Sequence, residues 1–252
     1  FQEEGTILSL GLNIGGYGEC DAPIDPQAVL DGRWHHCAAT FDGQSMRVFL
    51  DGREIHKLER AGQLVAGGTA DGCIGSSGGN ECFQGLIDEL RIYSEAASED
   101  EIARLYRNGA EAYVRLTENQ PADEPEVNKP LAAHWTFNEL VAVPVTNDAS
   151  GDPVLTATAD RAVGRVRGIH GNALVLAGEH GVAVDDYTRP EPLEGFSFSA
   201  WVKPRDLRSF REIFRQEGPS RLLFSFQENG SVLAFGLNLD GYEELDAQLN
   251  PA

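Results

Sequence analysis

Residues 1–27 return without a gap as residues 226–252. Phe1-Gln2-Glu3, Gly11-Leu12-Asn13, Gly16-Tyr17, Asp21-Ala22 and Pro26 recur as Phe226-Gln227-Glu228, Gly236-Leu237-Asn238, Gly241-Tyr242, Asp246-Ala247 and Pro251. About half of the aligned positions are identical, and most of the others are kindred swaps such as Ile7 for Val232. The offset of 225 residues, from Phe1 to Phe226, is too long for a solenoid unit and suits one whole all-β domain. The chain is therefore read as parts of two tandem copies. Residues 1–113 are the C-terminal portion of one, and 131–252 are the N-terminal portion of the next.

Between them, residues 114–130 carry Pro121, Asp123, Glu124, Pro125, Glu126 and Pro130 with few apolar residues, the composition of an extended, acidic linker. Forty acidic against twenty basic residues give a net charge of −20. That balance argues against nucleic acid and against anionic membrane surfaces as partners. It also supplies carboxylates for a hard cation. No apolar run approaches the 18 or so residues of a membrane-spanning helix, so membrane insertion is not expected.

The four cysteines, Cys20, Cys37, Cys73 and Cys82, allow three pairings into two bridges. Cys73 and Cys82 flank a turn-rich Ile74-to-Glu81 stretch, which favours Cys73–Cys82 and leaves Cys20–Cys37. Leu245 replaces Cys20 in the second copy, so the latter bridge would belong to one copy alone. Buried thiols in a reducing compartment are the alternative.

Short strands and turns fill most of the chain. Asp42-Gly43 and Asp51-Gly52 bracket Met46 to Leu50 as hairpin turns, and Phe196 to Val202 alternates with Phe196, Phe198, Ala200 and Val202 inward and Trp201 outward. In Phe83 to Tyr93 the same period places Leu86, Asp88, Leu90 and Ile92 on one face, interrupted only by the carboxylate. One short helix is predicted over 98–108, opened by the capping box Ser98-Glu99-Asp100-Glu101 and ended by Gly109. This is an all-β, antiparallel two-sheet sandwich.

Several motifs sharpen that reading when taken in order: Trp135-Thr136-Phe137, Asp148-Ala149-Ser150-Gly151, Gly171-Asn172-Ala173-Leu174 and Phe196 to Pro204. They continue with Trp34-His35-His36 running into Phe41-Asp42-Gly43, Val48 to Gly52, and Phe83 to Tyr93 with its helix. The set resembles the laminin-G-like branch of the concanavalin A-like lectin/glucanase superfamily, whose fold is a β jelly roll. The resemblance implies a framework role for His35 and His36. It also implies a structural Ca²⁺ held by Asp88 and Asp148 with a carbonyl near Asn138, oxygen ligands of the kind calcium prefers.

Glucanases of the superfamily carry alternating Glu-x-Asp-x-Glu carboxylates on one strand, whereas the stretch here has Leu86, Asp88 and Leu90. No enzymatic activity is expected. Sugar-binding modules use aromatic faces flanked by polar groups, and Trp201, Tyr17 and Tyr242 are the candidates. The chain is thus read as a non-catalytic binding or adhesion module of an extracellular or cell-surface protein, recognising glycans or a protein partner. The alternative is a structural spacer or polymer-forming repeat, and a polysaccharide hydrolase or lyase comes third. Because 131–252 and 1–113 hold one domain's parts in permuted order, they are expected either to close within one chain or to self-associate through exchanged half-domains.

Overall fold

The computed structural model describes residues 8–13, 17–64, 72–77, 80–117, 129–138, 157–158, 163–184, 195–207, 211–216, 222–227 and 232–237. The first half contributes strands β1 (Leu8–Asn13), β2 (Tyr17–Pro23), the one-turn helix α1 (Pro26–Val29), β3 (His35–Phe41) and β4 (Ser45–Leu50). It continues with β5 (Arg53–Glu59), β6 (Gly72–Ile74), β7 (Gln84–Tyr93) and helix α2 (Glu99–Thr117). The second half adds β8 (Leu131–Trp135), β9 (Ala157–Thr158), β10 (Gly164–Arg167), β11 (Asn172–Ala177) and β12 (Val182–Val184). It ends with β13 (Phe196–Asp206), β14 (Arg211–Gln216), β15 (Leu222–Gln227) and β16 (Val232–Leu237).

Two mostly antiparallel sheets result, as a jelly-roll sandwich requires. One runs β1-β2-β16-β15-β14-β6-β12-β9, and the other β10-β11-β7-β13-β3-β4-β5 with β8 also on β7. Both halves of the chain build both sheets: β13 pairs with β3 and β7, and β14 pairs with β6. The alternation of β13 explains its central place. Phe196, Phe198, Ala200 and Val202 are fully buried between the sheets, while Ser197, Ser199, Trp201 and Lys203 face the other way. Each inward aromatic or aliphatic side chain adds roughly 1.5–3 kcal/mol of hydrophobic stabilisation.

The duplicated segments meet in the first sheet. β1 keeps its antiparallel partner β2 and β16 keeps β15, yet β1 and β16 also pair in parallel, Leu10 with Phe235 and Leu12 with Leu237. Each residue is matched to its own counterpart 225 positions away. The two similar segments therefore lie side by side.

Two local expectations are corrected. The helix does not end at 108: it runs to Thr117 and takes in the first residues of the expected 114–130 linker. Its capping box forms as read, Ser98 N donating to Glu101 Oε2 at 2.8 Å and Glu101 N to Ser98 Oγ at 3.3 Å. Gly109 is not the stop signal; a Cβ there would lie 2.5 Å from the Trp201 ring, so the glycine lets the helix approach the sheet. Ile102 and Leu105 pack with Ala38, Phe49 and Tyr93 on the outer face of the second sheet.

The second correction concerns β7. Trp201 pairs with Asp88 but Ser199 with Arg91, so a bulge adds a residue to β7, and Glu89 takes the left-handed φ of 52°. Leu90 and Ile92 then face the core together with Ile87. Asp88 shares the opposite face with Trp201, so it does not interrupt the core-facing row.

Candidate functional site

The polar side of the second sheet is roofed by α2. Trp201 is buried, with 3% exposure, in a stack of rings: Tyr106 lies parallel to it at 5.7 Å and 24°, and His36 tilts against it at 5.3 Å. His36 is fully buried, and that burial pushes its pKa down to about 3, so it stays neutral. Beyond the stack, toward the C-terminal end of the helix, a groove of about 480 Å³ opens.

Five segments wall the groove, the β4–β5 turn with Asp51 among them. Residues 32–35 supply Trp34, α2 supplies Tyr106, Tyr113 and the 53%-exposed Val114, β13 supplies Trp201 and Lys203, and the turn before β11 supplies Ile169. His35 fixes the first wall. Its Nδ1 meets Asp51 Oδ2 at 3.0 Å and its Nε2 meets Asp31 Oδ1 at 3.1 Å. Asp51 itself, at φ 50° in the β4–β5 turn, accepts the His36 amide at 3.0 Å. Burial pushes the His35 pKa down, but the two carboxylates outweigh it and leave the pKa above the ordinary histidine value. Asp31 is held at about 2: its slight burial raises it, and Arg33 and His35 more than offset that.

This places the sequence candidates. Trp201 lines the groove, but its ring faces are covered by His36 and Tyr106, so its larger part is framework. Trp34 and Tyr113, which the sequence reading did not single out, present half-buried rings instead. Tyr17 lies on β2 with its side chain outside the described residues, and Tyr242 lies outside them altogether.

The Asp88 corner adjoins the groove through Ile169. Asp88 is fully buried, and its Oδ2 accepts the amides of Ile169 at 2.5 Å and His170 at 3.3 Å while Oδ1 accepts that of Glu89 at 2.9 Å. Asn138 Oδ1 accepts the Asn172 amide at 2.7 Å, so both side chains hold one turn, 168–172. Burial, reinforced by the Glu89 charge, raises the Asp88 pKa well above the usual carboxylate range. Glu89 goes the other way: burial raises it, but Arg91 and His134 together bring it below its ordinary value. Calcium suits these oxygens chemically. Among the described residues, Asp88 Oδ1 accepts a single amide, and the Asn138 carbonyl accepts only Asn172 Nδ2 at 3.5 Å, so both oxygens keep acceptor capacity. Asp148 lies outside the described residues, and among those described no three His, Cys, Asp or Glu side chains cluster as metal ligands.

No disulfide joins Cys20, Cys37, Cys73 or Cys82 in this structure. Register bears on the Cys20–Cys37 pairing. Cys20 Sγ reaches the Met46 carbonyl at 3.8 Å, and Met46 pairs with Phe41, four residues of β3 beyond Cys37. Roughly 13 Å of strand lies between those levels, against the 7 Å limit for Cα atoms of a bridge. Cys73 and Cys82 flank a turn closed by Ser77 and Asn80, and Cys73 adds to the burial that raises the Cys82 thiol.

A carboxyl pair that the sequence reading missed lies in the first sheet. Arg215 Nη1 donates to Glu212 Oε1 at 2.9 Å and to Glu81 Oε2 at 3.2 Å, while Glu212 Oε2 is buried with no partner as a carboxylate. Burial pushes Glu212 up to about 8; Arg215 works against it and the neighbouring Glu81 adds to it. At neutral pH Glu212 is the neutral acid, and its O–H then has the Glu81 carboxylate as acceptor.

Residues 4–103 match the family model described as the concanavalin A-like lectin/glucanases superfamily, of laminin-G type. Comparisons with curated proteins and with solved structures gave no significant match.

Proposed function

We propose, from the membership of residues 4–103 in the concanavalin A-like lectin/glucanases superfamily, that the chain is a non-catalytic glycan-binding module of an extracellular protein, with the groove beside α2 as its site. Domains of this type are generally binding modules, although the superfamily includes glucanases. The observation that carries the reading is the groove itself, open, walled by Trp34, Tyr113 and Val114, and edged with polar groups from Asp51, Arg33 and Lys203. Half-buried rings beside hydrogen-bonding side chains are what a sugar's apolar face and hydroxyl edge require. Immobilised glycans screened with the full chain are expected to give specific hits that weaken at least tenfold for Trp34→Ala. Silence across the array, or hits indifferent to Trp34, would favour a structural spacer.

Calcium at Asp88, with Asn138 and Asp148, and a Cys73–Cys82 bridge in an oxidising compartment belong to the same proposal. The fully buried carboxylate supports the first and the closed turn between the cysteines supports the second. Thermal melts separate them. Millimolar calcium should raise Tm over a chelated sample, and a reductant should lower Tm of protein kept oxidised. An unchanged Tm in either arm removes that element.

A further inference from the structure

In the first sheet, a turn that joins β6 to β7 is fastened to β14 by few bonds. Ser77 and Asn80 close the turn with two backbone hydrogen bonds, at 2.8 and 2.9 Å. Two others tie it to β14: Gly75 N donates to the Ile213 carbonyl at 2.8 Å, and Glu212 N donates to the Glu81 carbonyl at 3.0 Å. Glu81 sits at φ 52°, a left-handed backbone that is unfavourable for a residue with a side chain, so other contacts must hold it there. Its carboxylate supplies them, sharing Arg215 Nη1 with Glu212 and accepting the proton of the neutral Glu212. Without that proton, two carboxylates would face each other with one guanidinium between them, and Glu212 Oε2 would be a buried charge with no donor. The other groups described around the turn bring no compensating charge. Arg211 is taken by Asp206 at 2.7 Å, Cys73 on β6 and Cys82 are thiols, and Ser225, opposite Glu212 on β15, is neutral. Cys82, only 5% exposed, is bridged to Glu212 and stays covered while the turn is shut. We propose that the Glu81–Glu212 pair is a proton-operated latch, which holds the 75–83 turn on β14 in acid, loosens as the pH rises and uncovers the Cys82 thiol.

With the turn shut, Glu212 holds its proton with a pKa of about 8; with the turn open to water, it would lose it near the ordinary 4.5. Opening is therefore hardest below pH 4.5, becomes easier as the pH rises between those two values, and gains nothing further above 8. Hydrogen exchange at the amides of residues 75, 83 and 212 is measured on the full reduced chain and on Glu212→Gln, at pH 5 and pH 8.5, each rate divided by its intrinsic value. Wild-type protection should fall at least about tenfold between the two, and that of the variant by less than about twofold. Iodoacetamide at pH 8.5 should label Cys82 about tenfold faster in the wild type than in Glu212→Gln. The fully buried Cys37 of β3 should label about tenfold more slowly than Cys82 in the wild type, because only the turn opens. A parallel loss of protection in wild type and variant overturns the latch. Equal labelling of Cys37 and Cys82 overturns it too, since the whole domain would then be opening rather than the turn.

Discussion

Asp88→Ala is expected to destabilise the protein by roughly 3–5 kcal/mol, the largest loss among the substitutions considered. Three backbone amides, those of Glu89, Ile169 and His170, end on this one carboxylate, and the group is fully buried. Alanine would leave those donors unsatisfied and loosen the 168–172 turn from β7. The void offers little relief, since the Gly168 backbone already sits so close that a Cβ there would lie 2.2 Å from Asp88 Oδ2. Asp88→Asn should fall between wild type and alanine, because its amide nitrogen would face an N–H donor on one side. Equilibrium denaturation reads both. A loss below about 1 kcal/mol for Asp88→Ala would mean that the turn is held by other contacts.

Glu212→Gln is expected to stabilise the protein, and to do so only where the pH lets glutamate ionise. The folded-state pKa of about 8 lies above the ordinary 4.5, so between those values the unfolded chain has lost a proton that the folded chain keeps. The wild type therefore loses stability as pH rises from 4.5 to about 8, and no more of it beyond. Glutamine keeps an oxygen for Arg215 and offers Glu81 an N–H, without the titration. The gain should be roughly 1–4 kcal/mol at pH 8.5 and close to zero at pH 4. A gain of equal size at both pH values would contradict the protonated Glu212–Glu81 pair.

The fold was largely legible because its strongest signals are local. The alternation from Phe196 to Val202 matches the inward row of β13, and Ser98 and Glu101 form their capping box. Gly109 misled because glycine serves two ends, stopping helices and permitting close approach; only the position of Trp201 shows which applies. Asp88 was placed on the wrong face for a related reason. A period of two persists until a bulge shifts it, and Glu89 carries no residue signature of its left-handed backbone.

The candidate site was harder to read. Trp34 and Lys203 are brought together by the pairing of β13 with β3, a contact between the two halves of the chain. Trp201 was visible as an outward aromatic, but outward on this sheet means beneath α2, where Tyr106 and His36 cover its faces. The Glu81–Glu212 pair likewise depends on the parallel bridge between Cys82 and Glu212. Long-range registers of this kind have no sequence period to announce them.

The most direct test of a glycan site built jointly by the two halves is hydrogen exchange on the full chain with and without a saturating glycan from the array. Slowed exchange should appear together in residues 32–36, 106–114 and 201–204, one segment from each of β3's approach, α2 and β13. Protection confined to one half, or centred on Glu81 and Glu212 in the opposite sheet, would contradict it.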